Sequence, residues 1–191
     1  MFQLRRPPDD AIGRWLAVAA AAPFSYGAVG ASRGAPPGGY IVDRDRVVLG
    51  SGADAFRFAR EAFRRWEMFR LGWVEVFPRD APMRPGTTVG VLVRHLRFWS
   101  FNPCRIVYVV DEVGPVERFG FAYGTLPGHA AEGEERFTVE WDHVDDSVAY
   151  DLLAFSRPRH LLARLGLPFA RQLQRRFARD SKRAMVQATT D

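Results

Sequence analysis

Between Trp73 and Phe155 the chain carries six strand-like runs separated only by short, turn-rich connections. They are Trp73–Phe77, Thr87–Leu96, Cys104–Asp111, Arg118–Thr125, Glu134–Asp142 and Ser147–Phe155, each bounded by Pro, Gly, Asn or Asp. A parallel pairing needs a crossover of about a dozen residues or more, usually a helix, and these connections leave no room for one. The segment can close only as an antiparallel meander, and a doubly wound parallel sheet is excluded. Within Phe119-Gly-Phe-Ala-Tyr-Gly124 the rings of Phe119, Phe121 and Tyr123 share one face. Gly120, Ala122 and Gly124 share the other, a surface that a second element can approach closely. In the next run Phe137, Val139 and Trp141 oppose Arg136, Thr138 and Glu140. The second set is expected to be external and solvated, since charged side chains are rarely fully buried.

Helical patterns flank the meander. An amphipathic first helix is expected over Asp10–Ala22. Arg5 and Arg6 before the alanine-dominated run Trp15–Ala22 imitate a signal peptide, but alanine is a weak apolar core for one and Asp9 and Asp10 interrupt the charged leader. Gly27–Gly39 reads as a structured entry loop, and Arg46–Leu49 as a short strand. From Asp54 to about Arg70 the residues Phe56, Ala59, Ala62, Phe63, Trp66 and Phe69 line one broad helical face that must cover something large and flat. After Pro158 a brief helical period falls on Leu161, Leu162 and Leu165. A long helix follows from near Pro168, where proline suits the first helical position. Its apolar stripe runs through Phe169, Leu173, Phe177 and Ala184, which leaves Arg171, Arg175, Arg179 and Lys182 facing solvent. Asp180 projects into that stripe, with Arg176 one turn earlier at its edge. The two either form an ion pair at the end of a packed face or look into a partly wet cavity.

An apolar fraction of 47% in 191 residues suits one domain: residues 1–39 as helix and entry loop, 40–186 as core, 187–191 as tail. A single cysteine, Cys104, excludes an intramolecular disulfide and a cysteine-cluster zinc site, so a reducing cytoplasm is the expected location. Cys104 itself reads as a buried core thiol rather than a nucleophile. The net charge of +5 is uneven: residues 157–183 hold nine basic residues against Asp180 alone, so that segment carries +8 and the rest −3. Such polarity permits an anionic partner without choosing one. No stretch is long and apolar enough for a transmembrane segment. Neither a phosphate-binding loop nor a dinucleotide fingerprint is present, so no nucleotide or other cofactor is expected. The histidines His95, His129, His143 and His160 have no metal-ligand spacing, and no metal site is expected.

The order short strand, helix, six antiparallel strands, long final helix resembles the helix-grip fold of the START, Bet v 1 and polyketide-cyclase-like superfamily. That resemblance implies an α+β fold in which a curved sheet of about seven strands wraps the final helix around an apolar cavity. One helix, where that fold usually has two, stands between the first two strands here. A narrower likeness rests on words spread along the chain: Phe24-Ser-Tyr26, Val29-Gly-Ala-Ser-Arg33, Trp66-Glu-Met-Phe69, Asn102-Pro-Cys-Arg105, Phe119 through His129, Gly133-Glu-Glu-Arg-Phe137, Phe155-Ser-Arg-Pro158 and Gln174-Arg-Arg-Phe177. They resemble a family of bacterial and plant proteins, the domain of unknown function numbered nineteen-ninety. The likeness implies no activity, substrate or catalytic residue.

Three functions remain open on the residues. In the first, a non-catalytic domain holds a small apolar or lipid-like molecule between sheet and final helix, with Asp180, Arg176, Tyr123 and Phe177 as ligand contacts. In the second, the same cavity supports acid/base chemistry. His129 and Glu132, in the loop between two strand ends, are then the candidate catalytic pair, against the plainer alternative of a solvated turn. In the third, Arg171, Arg175, Arg179, Lys182 and Arg183 bind RNA or an anionic membrane surface.

Overall fold

The computed structural model describes residues 2–158 and 167–190. The chain runs β1 (Phe2–Gln3), α1 (Asp9–Ala20), β2 (Ile41–Ser51), α2 (Gly52–Arg64), β3 (Val74–Phe77), β4 (Thr88–His95), β5 (Phe98–Glu112), β6 (Val116–Thr125), β7 (Ala131–Asp142), β8 (Ser147–Pro158) and α3 (Leu167–Thr190). Strands β2 to β8 form a curved antiparallel sheet in the order β2-β8-β7-β6-β5-β4-β3, and β1 adds two residues beside β5. Strand β2, which precedes the meander, is thus the neighbour of its last strand, β8. This α+β arrangement, with a terminal helix laid in the hollow of the sheet, is the helix-grip fold.

The strands follow the expected alternation and run longer at several ends, notably β2 and β5. The second helical pattern stops earlier than its apolar face suggested. At Trp66 the backbone turns left-handed with φ 57°, and Glu67–Phe69 continue as a 3-10 turn. This kink keeps Trp66 and Phe69 in the core, where Trp66 lies 4.8 Å from the Phe121 ring and donates its indole N–H to the Ala81 carbonyl. Phe63 meets Phe121 and Tyr150 edge-on, a favoured aromatic geometry.

Helix α3 turns Ala178, Ser181, Met185 and Thr189 to the interior. Ser181 and Tyr150 share a buried hydroxyl pair at 2.8 Å. The packed face is therefore rotated from the expected stripe: at 100° per residue, Phe169 stands about 120° and Asp180 about 100° from Ser181. Phe169 is half exposed accordingly. Helical order continues through Thr190 where a tail was expected, and the period on Leu161, Leu162 and Leu165 lies outside the described residues.

The other face of the sheet carries two covers. Helix α1 sets Ile12 and Trp15 against Leu92 and Phe101, and Arg105 reaches from β5 to the carbonyls of Ala20 and Ala22, both at 2.9 Å. A cation there offsets the unsatisfied carbonyls at the helix end. The entry loop docks beside it through close contact between Tyr26 and Gly124, where any Cβ would lie 2.2 Å from the phenol oxygen.

Candidate functional site

Where α3 bridges β2 and the middle of the sheet, packing is incomplete and a cavity of about 360 Å³ remains. Its apolar wall includes Val91, Val93, Leu152, Ala154, Leu173 and Phe177. Strand alternation brings polar groups into the same space: His95 of β4, Ser100 and Asn102 of β5, Tyr123 of β6, Glu135 of β7 and Asp43 and Asp45 of β2.

Glu135 is the pivotal group. It shares a face with Phe137 and Val139, and register places it directly between Tyr123 on one side and Ala154 on the other. Tyr123 donates its hydroxyl to Glu135 Oε2 at 2.8 Å. Burial pushes the Glu135 carboxyl up to about 7, against the opposing effect of that hydrogen bond and with help from the negative charge of Asp43. The Tyr123 hydroxyl is pushed up as well, first by burial and then by Glu135. Asp43 and Asp45 differ from Glu135 in having cations of their own. Arg171 embraces Asp43 with two nitrogens, and the Lys182 ammonium contacts Asp45.

His129 also borders the cavity, with Nδ1 held at the backbone of Ala131, 3.0 Å from its nitrogen and 2.9 Å from its oxygen. Burial drives its imidazole down to about 4, which keeps it neutral at physiological pH. Glu132 points elsewhere and accepts from Arg157 at 2.6 Å, so the expected His129–Glu132 pair is not formed. Of the expected ligand contacts, Tyr123 and Phe177 line the cavity, whereas Asp180 and Arg176 do not. Asp180 accepts from the Trp73 indole at 3.1 Å and from Arg179 at 3.0 Å, and Arg176 lies 4.2 Å over the Trp73 ring. Burial opposes ionisation of Asp180, yet the bonds from Arg179 and Trp73 hold its carboxyl below its ordinary value. The cause is the rotation of α3, which aims residue 180 at the β3 edge. Arg171 and Lys182, expected in solvent, are half-buried partners of β2; Arg175 and Arg183 are exposed. Cys104 is fully buried, and burial raises its thiol well above the usual range.

Arg136, Thr138 and Glu140 lie on the opposite face as expected but are not solvated. Thr138 and Glu140 are buried, and Arg136 bridges Asp151 at 3.2 Å and the Ser32 carbonyl at 3.0 Å. Asp151, wholly buried, also accepts from Arg44, and Arg46 joins it to Glu140. Next to this network Glu134 accepts from the Tyr26 hydroxyl at 2.6 Å, from the amides of Gly30 and Ser32 at 2.7 and 3.0 Å, and from the Ser32 hydroxyl. A second hollow of about 350 Å³ beside β3 touches Arg70, Glu75 and Arg79, whose charges already pair with each other or with Arg6 and Glu67.

The signal for Glu135 was available: residues of odd number from Gly133 to Trp141 share a face, and an acid at the apolar end of that series is conspicuous. The same parity places Asp43 and Asp45 with Val47 and Leu49. No comparable local signal marks Glu134 as the anchor of a loop a hundred residues away.

Among solved structures, human STARD10 superposes with a TM-score of 0.48 at 12% identity, covering 97% of this chain and 81% of that one. A UPF0548 protein of Dictyostelium discoideum is 37% identical over 158 residues, 78% of this chain and 73% of its own. A UPF0548 protein of Deinococcus radiodurans is 36% identical over 98% of both chains. Residues 25–184 match the model of the domain of unknown function DUF1990. From the entry loop through α3, this chain therefore belongs to the DUF1990 family.

Proposed function

We propose that the protein is a non-catalytic carrier or sensor of one small, largely apolar molecule, held between the sheet and α3. The observation that carries this reading is the 360 Å³ cavity beside α3, walled by aliphatic and aromatic side chains and provided with a few polar groups. A packed scaffold would instead fill such a space, because voids of this size forfeit dispersion contacts. Tyr123 and Phe177 are the ligand contacts retained from the sequence, with Glu135 added. A reducing cytoplasm is the setting that suits Cys104, and none of the described helices is long and apolar enough to cross a membrane.

The test is retention. Protein stripped of small molecules under denaturing conditions, refolded and incubated with cell extract should capture an apolar compound visible by native mass spectrometry. Leu173→Trp, which fills the cavity from α3, should abolish capture while keeping the circular dichroism spectrum. Failure of the unmodified protein to retain any small molecule would defeat the proposal.

Acid/base chemistry in the same cavity is the second reading, and Glu135 rather than His129 favours it. A carboxyl that titrates near neutrality beside a tyrosine hydroxyl suits a proton carrier. Turnover of a captured compound, lost in Glu135→Gln, would support it. Binding of RNA or anionic membrane through α3 rests on Arg175, Arg179 and Arg183, since Arg171 and Lys182 are engaged by β2.

A further inference from the structure

The polar lining of the cavity has a definite sense. Glu135 Oε2 is occupied by Tyr123, while among the described residues Oε1 accepts no hydrogen bond from the protein. Among the described residues the charged and titratable groups that line the cavity with it are Tyr123 on β6, Asp43 and Asp45 on β2, His95 on β4, His129 in the β6–β7 loop, Glu134 on β7 and Arg175 on α3, while Arg171 and Lys182 of α3 pair with the two aspartates. Of the cations, Arg171 and Lys182 are neutralised by Asp43 and Asp45, and Arg175 is exposed at the rim. Both histidines have their basicity lowered by burial. Among the described residues the cavity thus presents one carboxylate oxygen with unused acceptor capacity and no spare buried cation. Asp43 stands two strands away across Ala154, roughly 10 Å by the strand spacing, and although paired with Arg171 it helps to raise the Glu135 carboxyl.

We infer that the cavity's ligand is an apolar molecule bearing a basic amine, whose ammonium group donates to Glu135 Oε1 while its hydrocarbon body lies against Leu152, Leu173 and Phe177. This rests on the cavity being a binding site and names the chemical class it selects. A charge-assisted N–H to carboxylate bond is about twice as strong as a neutral one, and in this low-dielectric setting it discriminates sharply. A carboxylate or phosphate head would face Glu135 with no free buried cation among the described residues to answer it. Binding should shift Glu135 to its ionised form and release a proton, because its carboxyl otherwise titrates at about 7.

Three probes of matched chain separate the possibilities: decylamine, 1-decanol and decanoate, titrated calorimetrically into the full-length protein. The expected order is amine, then alcohol, then carboxylate, with the amine favoured over the alcohol by about tenfold or more at pH 8. Between pH 6 and 8 the amine-to-alcohol ratio should rise by about tenfold as Glu135 ionises, a readout that needs no variant. Glu135→Gln should bring the ratio close to unity. Decanoate binding as tightly as decylamine, or a ratio unchanged by pH and by Glu135→Gln, would overturn the amine assignment yet leave the binding site standing. Binding of none of the three probes, decanol included, would sink both.

Discussion

Glu134 and Glu135 are neighbours in sequence and opposites in use. Glu134 faces the side of the sheet covered by α1 and the entry loop and has four donors gathered from that loop. Glu135 faces the cavity and has one. A buried carboxylate with its acceptor sites filled holds structure together, because loss of its charge strands every donor around it. A buried carboxylate with an empty site destabilises the fold and persists where something else completes it. The two faces of β7 therefore separate a stabilising acid from one left short of donors.

Four experiments bear on that contrast. The largest effect is expected for Glu134→Ala, which leaves buried amides and hydroxyls of the loop unpaired; unfolding in urea should show a loss of about 3–5 kcal/mol. A loss below about 1 kcal/mol would mean that the loop is held by other contacts.

Next comes a change of opposite sign. The folded-state pKa of Glu135 lies above its ordinary 4.5, so the folded protein retains a proton that the unfolded chain releases. The penalty is absent below 4.5, grows as pH rises to about 7, and is complete above it. Glu135→Gln should accordingly stabilise the protein at pH 8, on the order of 2–3 kcal/mol, and do little at pH 4.5. His129 titrates with the reverse sense: its folded value of about 4 against 6.5 makes stability fall as pH drops through that window. The two slopes partly cancel in the native sequence, so removing Glu135 should expose a steep acid-side loss in a pH series of urea midpoints. A flat series would contradict the burial of both groups.

Gly124→Ala tests the approach that brings the loop to Glu134. The added methyl would collide with the Tyr26 ring and phenol oxygen, and a loss of about 1–3 kcal/mol is expected. Smallest is Tyr26→Phe, which removes one of the four donors to Glu134 and should cost about 1 kcal/mol. A larger loss than for Gly124→Ala would place the energy in the hydrogen bond rather than in the fit.

Much of the architecture was legible because hydrophobic period is a local property. The meander, both main helices and the small-residue face of β6 follow from spacing alone, and Gly124 is the place where that face is used. The site was legible only in part. Helix α3 shows where orientation escapes a wheel: Phe169 counted toward the stripe although it lies beyond the packed face, and this pulled Asp180 inward on paper. Arg136, Thr138 and Glu140 on the outer face of β7 depart from expectation for a different reason. Alternation assigned them to the correct face, but only pairing with distant Asp151, Arg44 and Arg46 shows that the face is covered with charge partners rather than water.

The adjacency of β2 and β8 has a consequence for how the molecule is made. Strand β2 closes the sheet only by pairing with the last strand, and its two aspartates meet their cations only on α3. Contacts of such long sequence separation form slowly and late. During synthesis the part of the hollow not covered by α2 stays open until residues 167–190 leave the ribosome. Until then that apolar floor is open to chaperones, and the cavity takes shape with α3 rather than with the sheet.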